Sequence, residues 1–246
     1  MNIDFFLETL TVFATITLAF SGVLQAARHH MDFFGALVLA FVCALGGGTI
    51  RDLLIGATPV FWAVDESYIT IILPTTVLSI LALYFFRPPK VFAITLLNVA
   101  DAMGLALFAI LGAQKTLSYH LPEPVAVIMG VITGIAGGMI RDILTPITPF
   151  VMRGEMYALA AIIGVIVYTL LIRLHIAEPL AMLIGMLIIF VLRISAMYWD
   201  LKVPITKLKE TELAEEHEHE VEHEEKVAEH KKHKAERKSE PHELSK

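Results

Sequence analysis

The chain has 246 residues, 56% of them hydrophobic, with a mean hydropathy of +0.68. That excludes an ordinary soluble globular composition and points to several membrane crossings. The formal net charge of −6 conceals two regimes: residues 1–198 carry nine Lys and Arg against eleven Asp and Glu, and the last 48 residues carry ten against fourteen. A membrane body is thus followed by a charged tail.

A helical span needs about 20 mostly apolar residues. Seven stretches qualify, at 5–27, 33–55, 68–86, 91–115, 124–144, 155–174 and 178–198. They lack the strict alternation of barrel strands. The N-terminus, Met1-Asn2-Ile3-Asp4, has no basic leader, so the first span is expected to direct insertion itself. Connections are short, such as Arg28-His29-His30-Met31-Asp32, and Pro88 with Pro89 ends the third span. With the N-terminus outside, Arg28, Arg87, Lys90, Arg153 and Lys202 fall inside, against Lys115 and Arg173 outside. The positive-inside rule therefore favours an external N-terminus and a cytoplasmic C-terminus. Phe61, Trp62 and Tyr68 would then suit an outer aromatic belt, and Tyr198 and Trp199 an inner one. Cys43, the single cysteine, sits in an apolar run and cannot form an intrachain disulfide.

The second span contains Gly46-Gly47-Gly48-Thr49-Ile50-Arg51-Asp52, and the fifth contains Gly137-Gly138-Met139-Ile140-Arg141-Asp142. The offset is 90 residues, and it also matches Gly22 to Gly112, Thr58 to Thr148 and Pro59 to Pro149. Three spans per repeat is an odd number, so the second copy enters the membrane in the opposite sense. The expected fold is an all-α polytopic membrane protein with seven transmembrane helices: two inverted three-helix repeats, 1–90 and 91–176, and a seventh helix, 177–198. Residues 199–246 form a charged cytoplasmic tail expected to be disordered or marginally helical, with nine acidic and no Lys or Arg residues between Glu210 and Glu225. Paired glycine-interrupted spans in inverted halves point to a binding or permeation site.

On helix-propensity scales Gly46, Gly47 and Gly48 weaken span 2 by roughly 2–3 kcal/mol, and Gly137 and Gly138 weaken span 5 by about 2 kcal/mol. Close helix packing is one reason to keep them. A kink or break that exposes backbone to a water-filled cavity is the other. Arg51, Asp52, Arg141 and Asp142 each cost about 2.5–3.5 kcal/mol at a helix centre. Neighbours in sequence do not face each other on a helix, which suggests cross-repeat pairs, Arg51 with Asp142 and Asp52 with Arg141. Snorkelling of the arginines from helix ends is the alternative. Asp101, with Asn98 one turn before it, is a further intramembrane candidate for coupling or for the pathway; burial against Arg141 would be its structural role. Lys115 aligns with Gln25 and reads as an interfacial anchor.

No phosphate loop follows the glycines, since no Lys-Ser or Lys-Thr does. No catalytic constellation is visible. His29 and His30 read as a solvated turn, and His217, His219, His223, His230 and His233 as part of the mixed-charge tail rather than a metal site. No enzyme activity, cofactor, metal or nucleic-acid partner is expected; the expected partners are the bilayer and a small-molecule or ion substrate.

Gly-Gly-Gly-Thr-Ile-Arg-Asp-Leu-Leu followed by Thr58-Pro59-Val60-Phe61-Trp62 resembles the bacterial inner-membrane glycine transporter family, related to the trimeric intracellular cation (TRIC) channels. The resemblance covers about residues 5–198. It implies a seven-helix subunit with kinked second and fifth helices, a trimer with one pathway per subunit, and glycine uptake. Its kink residues map to Gly46, Gly47, Gly48, Gly137 and Gly138, and its charges to Arg51, Asp52, Arg141 and Asp142. Ala136 departs from the pattern, standing where the first copy has Gly46, which implies a gentler second kink. A broken helix would offer amides to a carboxylate and carbonyls to an ammonium. The same carbonyls would serve K⁺. The expected function is a small-solute transporter, for glycine first; the alternatives are a monovalent cation channel and a non-transporting scaffold.

Overall fold

The structure is a computed structural model that describes residues 3–152 and 156–199. The charged tail and its histidines, and Arg153, lie outside those residues. The described residues are all-helical: α1 (Ile3–Arg28), α2 (Phe33–Leu54), a short α3 (Phe61–Val64), α4 (Ser67–Phe86), α5 (Lys90–Ser118), α6 (Glu123–Leu144), α7 (Tyr157–Arg173) and α8 (Glu178–Tyr198). A one-turn 3₁₀ segment, Phe150–Met152, precedes α7. Six of these helices are long and apolar enough to cross a bilayer; α7, with 17 residues, is a shorter apolar helix. The seven predicted spans therefore correspond to α1, α2, α4, α5, α6, α7 and α8. Helix α3 and the 3₁₀ turn lie in loops that the span criterion passed over.

Local chemistry sets the ends. Asp32 accepts the Gly35 N–H at 2.8 Å and caps α2. Pro122 and Pro89 stand immediately before α6 and α5, where a missing N–H costs nothing. His30 and His120, 90 residues apart, both adopt a left-handed backbone (φ 54° and 57°) just past α1 and α5. The predicted solvated turn at His29 and His30 is thus a helix stop. In the loop before α4, Asp65 accepts from the Ser67 side chain and its N–H, which holds its carboxyl below the usual value. Within the helices, Thr15, Thr17, Thr49, Thr76, Thr116 and Thr133 donate to the carbonyl one turn back, so these hydroxyls need no water.

Helices α1 and α5 lie deepest, with 61% and 67% of their most apolar stretch buried; α4 has 17% and presents Leu78, Leu81, Phe85 and Phe86 outward. Helix α1 packs on α2 and α5, α5 on α6 and α8, and α2 crosses α6. That last crossing is reciprocal. A Cβ on Gly47 would run into the Thr133 carbonyl, and a Cβ on Gly137 into the Cys43 carbonyl. Residues 43 and 133, like 47 and 137, are 90 apart, so each copy supplies both halves of the same contact.

Both helices run without interruption through their glycines. A full break is therefore absent from this conformation, and Gly47 and Gly137 serve the close approach of the two helices. Gly46 differs from Gly47: its added Cβ would be tight against the flexible Ile140 Cδ1, at 3.2 Å, and in ordinary contact with Gly137 Cα and Val42 Cγ1. Ala136 fills the equivalent place in α6 without closing the crossing.

Gly47→Ala and Gly137→Ala are each expected to destabilise by about 1–3 kcal/mol through overpacking. Gly46→Ala should be close to neutral, as Ala136 already shows for its own helix. Thermal unfolding of the three purified variants in one detergent measures the difference.

Candidate functional site

The motif charges sit at the ends of α2 and α6 and are buried: Arg51 is 5% exposed and Asp52, Arg141 and Asp142 are at 0–1%. Neither arginine snorkels to water. The predicted cross-repeat pairing does not occur either. Arg51 donates through Nε and Nη2 to Asp52 Oδ1 at 2.8 and 2.7 Å, and Arg141 donates through Nε to Asp142 Oδ1 at 2.9 Å. The long arginine side chain folds back across its own helix and reaches the next residue, a route that the angular separation of neighbouring side chains does not forbid.

Each carboxylate then organises the loop that follows. Asp52 Oδ2 accepts the Phe61 N–H at 2.9 Å, and Asp142 Oδ2 accepts the Phe150 N–H at 3.1 Å. Phe61 and Phe150 are 89 apart, not 90, so the second copy loses one residue after Pro149. With that shift Tyr68 corresponds to Tyr157, and each tyrosine packs against its phenylalanine with ring centroids 4.6 and 6.4 Å apart. Arg51 and Arg141 lie 5.7 and 5.5 Å from the centroids of Phe61 and Phe150. The three aromatic residues assigned to an outer belt, Phe61, Trp62 and Tyr68, are half-buried and make specific contacts with the motif. Phe61 and Tyr68 enclose the arginine, and Trp62 Nε1 donates to Thr49 Oγ1 at 2.9 Å.

The surroundings of the two pairs then diverge. Asp101 Oδ1 lies 3.0 Å from Arg141 Nη1, and Ser21 also accepts from that nitrogen. Gly138 makes room for this arrangement, because a Cβ there would sit 3.2 Å from Asp101 Oδ1 and 3.5 Å from the Tyr157 hydroxyl. Arg193 of α8 stacks 4.4 Å over the Tyr157 ring. Asn98 is half-buried, and its side chain makes no hydrogen bond among the described residues.

Around Arg51 the equivalents of Asp101 and Ser21 are Thr11 and Leu111, and both line a cavity of about 120 Å³ with Arg51, Phe61, Tyr68 and Lys115. Lys115 Nζ donates to Asp52 Oδ2 at 2.9 Å. Lys115 is therefore a half-buried partner of the motif, and its counterpart, the buried Gln25, donates to Thr145 Oγ1 at 3.0 Å at the end of α6. Sequence reasoning passed over Ser21, Tyr157 and Arg193. It singled out Lys115 through the 90-residue alignment with Gln25 but not its ion pair with Asp52.

The described residues are apolar helices that enclose paired charges, the frame of a polytopic membrane protein. The glycine transporter family model matches twice, at residues 8–84 and 98–173. The chain belongs to that family, which is of transporter and channel type and not of enzymes. It is 45% identical over 198 residues to a UPF0126 membrane protein of Vibrio cholerae, covering 80% of this chain and 82% of that protein. It is 40% identical over 202 residues to the inner membrane protein YadS of Escherichia coli, covering 82% and 96%. Among solved structures it resembles the trimeric intracellular cation channel orthologue from Rhodobacter sphaeroides, with TM-score 0.74, 33% identity, and coverage of 79% of this chain and 98% of that one. A prokaryotic TRIC channel solved in 0.5 M KCl gives TM-score 0.73 at 28% identity, covering 82% and 100%. The protein is thus a multi-pass membrane protein of the TRIC-related family, with relatives named as inner membrane proteins.

Removing the Asp101 charge strands Arg141 beside one carboxylate fewer. Asp101→Asn is expected to cost about 3–5 kcal/mol, the range for breaking a buried pair. Asn98→Ala should cost about 1 kcal/mol or less. Unfolding midpoints of the two variants, one helical turn apart, test the assignment.

Proposed function

We propose that the protein carries a small solute, glycine first, along a path lined by α2 and α6 at Gly46, Gly47, Gly48, Gly137 and Gly138 and by the charges Arg51, Asp52, Arg141 and Asp142. The observation that carries this reading is the reciprocal glycine crossing with a buried Arg-Asp pair at the end of each crossing helix. Small residues let two helices slide or rock with little steric penalty, and the charges give a zwitterion complementary groups. Two inverted three-helix repeats, 1–90 and 91–176, with a seventh helix at 177–198 and a cytoplasmic tail at 199–246, are the architecture in which such a crossing serves alternating access. The N-terminus is outside and the C-terminus inside in this reading, and the unit is a homotrimer in the manner of the TRIC relatives. Asp101 belongs to the closed half of the device, held by Arg141; it becomes available for coupling only where that pair opens.

A second reading, a monovalent cation channel, draws on the likeness to solved TRIC channels at 33% and 28% identity. A net positive cavity at Arg51 and Lys115 argues against a resting cation there, which is why the carrier stands first.

Purified protein in liposomes separates the two. Saturable counterflow of labelled glycine without conductance is the expected result. An ohmic K⁺ current indifferent to glycine would replace the carrier with the channel. Neither signal, from correctly folded and oriented protein, would leave a scaffold that also tolerates loss of Arg51 and Asp52.

A further inference from the structure

The two motif copies differ in one respect that the repeat itself makes readable. In the second, Arg141 Nε donates to Asp142, and Nη1 is taken by the Asp101 carboxylate and the Ser21 hydroxyl. In the first, Arg51 spends Nε and Nη2 on Asp52, and Nη1 has no hydrogen-bond partner among the described residues. Thr11 replaces the Asp101 carboxylate and Leu111 replaces the Ser21 hydroxyl, and a cavity of about 120 Å³ stands beside the guanidinium. At a liquid share of about 30 Å³ per water, that is the scale of a single small solute. Two cations, Arg51 and Lys115, share the one carboxylate of Asp52, so the cavity wall carries an excess positive charge. Phe61 and Tyr68 close it on one side.

We propose that this cavity between α1, α2 and α5 is a carboxylate subsite, in which a small monocarboxylate takes the place beside Arg51 that Asp101 occupies beside Arg141. The protein's own side chain shows what complements an arginine in this setting: a carboxylate oxygen on Nη1, against an aromatic wall. In the second half that carboxylate is built in and the site is shut. In the first it is left to the ligand. The naming of an amino acid as the physiological ligand rests on the transporter reading; the subsite for a carboxylate does not.

The test uses the full chain carrying Trp199→Phe, which leaves Trp62, next to Phe61 in sequence, as the fluorescent reporter. Glycine and acetate are expected to change its emission saturably, and methylammonium is not. Thr11→Asp installs the second-half arrangement and should weaken both by about tenfold or more, and the isosteric but uncharged Thr11→Asn, which fills the same space without the charge, by clearly less than Thr11→Asp. No saturable response to glycine or acetate overturns the proposal, as does an equal response to methylammonium or an equal loss in Thr11→Asp and Thr11→Asn. Should Thr11→Asp fail to fold, the comparison of acetate with methylammonium on the parent protein decides alone. Labelled glycine uptake by the same proteins keeps the two readings apart. Binding sensitive to Thr11→Asp without any uptake upholds the subsite and sinks the transporter. Uptake by Thr11→Asp equal to the parent's sinks the subsite and leaves the transporter standing.

Discussion

The crossing of α2 and α6 is the constraint on which the rest depends. Gly47 lies against the Thr133 carbonyl and Gly137 against the Cys43 carbonyl, with no space for a methyl group at either. Lipid gives little hydrophobic drive for helix association, so backbone proximity has to supply the dispersion contacts. With this approach in place, Arg51 and Arg141 end up at the ends of two helices that are themselves held by the deeply buried α1 and α5. The polar residues of α1 and α5 then face those arginines: Thr11 and Lys115 toward Arg51, Ser21 and Asp101 toward Arg141.

Much of this was legible in the sequence because hydrophobic length and a gap-free repeat are strong signals. The helix bounds differ from the predicted spans by a few residues, and the glycines, charges and Asp101 all lie at the inter-helix contacts. What was not legible depends on side-chain reach and on backbone path. The rule that adjacent helix positions diverge led to cross-repeat pairs, yet a side chain as long as arginine's can turn along its own helix to the next carboxylate. The loss of one residue after Pro149 is invisible in the motif itself. It shows only when Phe61 and Phe150 are found donating to Asp52 and Asp142. The glycines were ambiguous from the start, since packing and kinking call for the same residue. The unbroken helices exclude a full break in this conformation, and Gly47 and Gly137 are used for close packing.

A repeat also serves as an internal control. Substitution of Asp101 by Thr11, and of Ser21 by Leu111, at equivalent places separates the parts of the arrangement that the two copies share from those that differ. Both copies keep the Arg-Asp pair and the aromatic cover. The first copy keeps Arg51 buried without a second carboxylate, whereas Arg141 is packed around one.

The pairing of each arginine with the next residue in sequence has a consequence for biogenesis. A helix that leaves the insertion machinery alone must enter lipid with whatever partners it carries on itself. Had Arg51 depended on Asp142, α2 would have met the hydrocarbon with an uncompensated cation about ninety residues before its partner was synthesised, at a cost of about 2.5–3.5 kcal/mol or more. As built, α2 and α6 each carry the partner of their arginine on their own surface, so neither arginine has to wait for a carboxylate on a later helix.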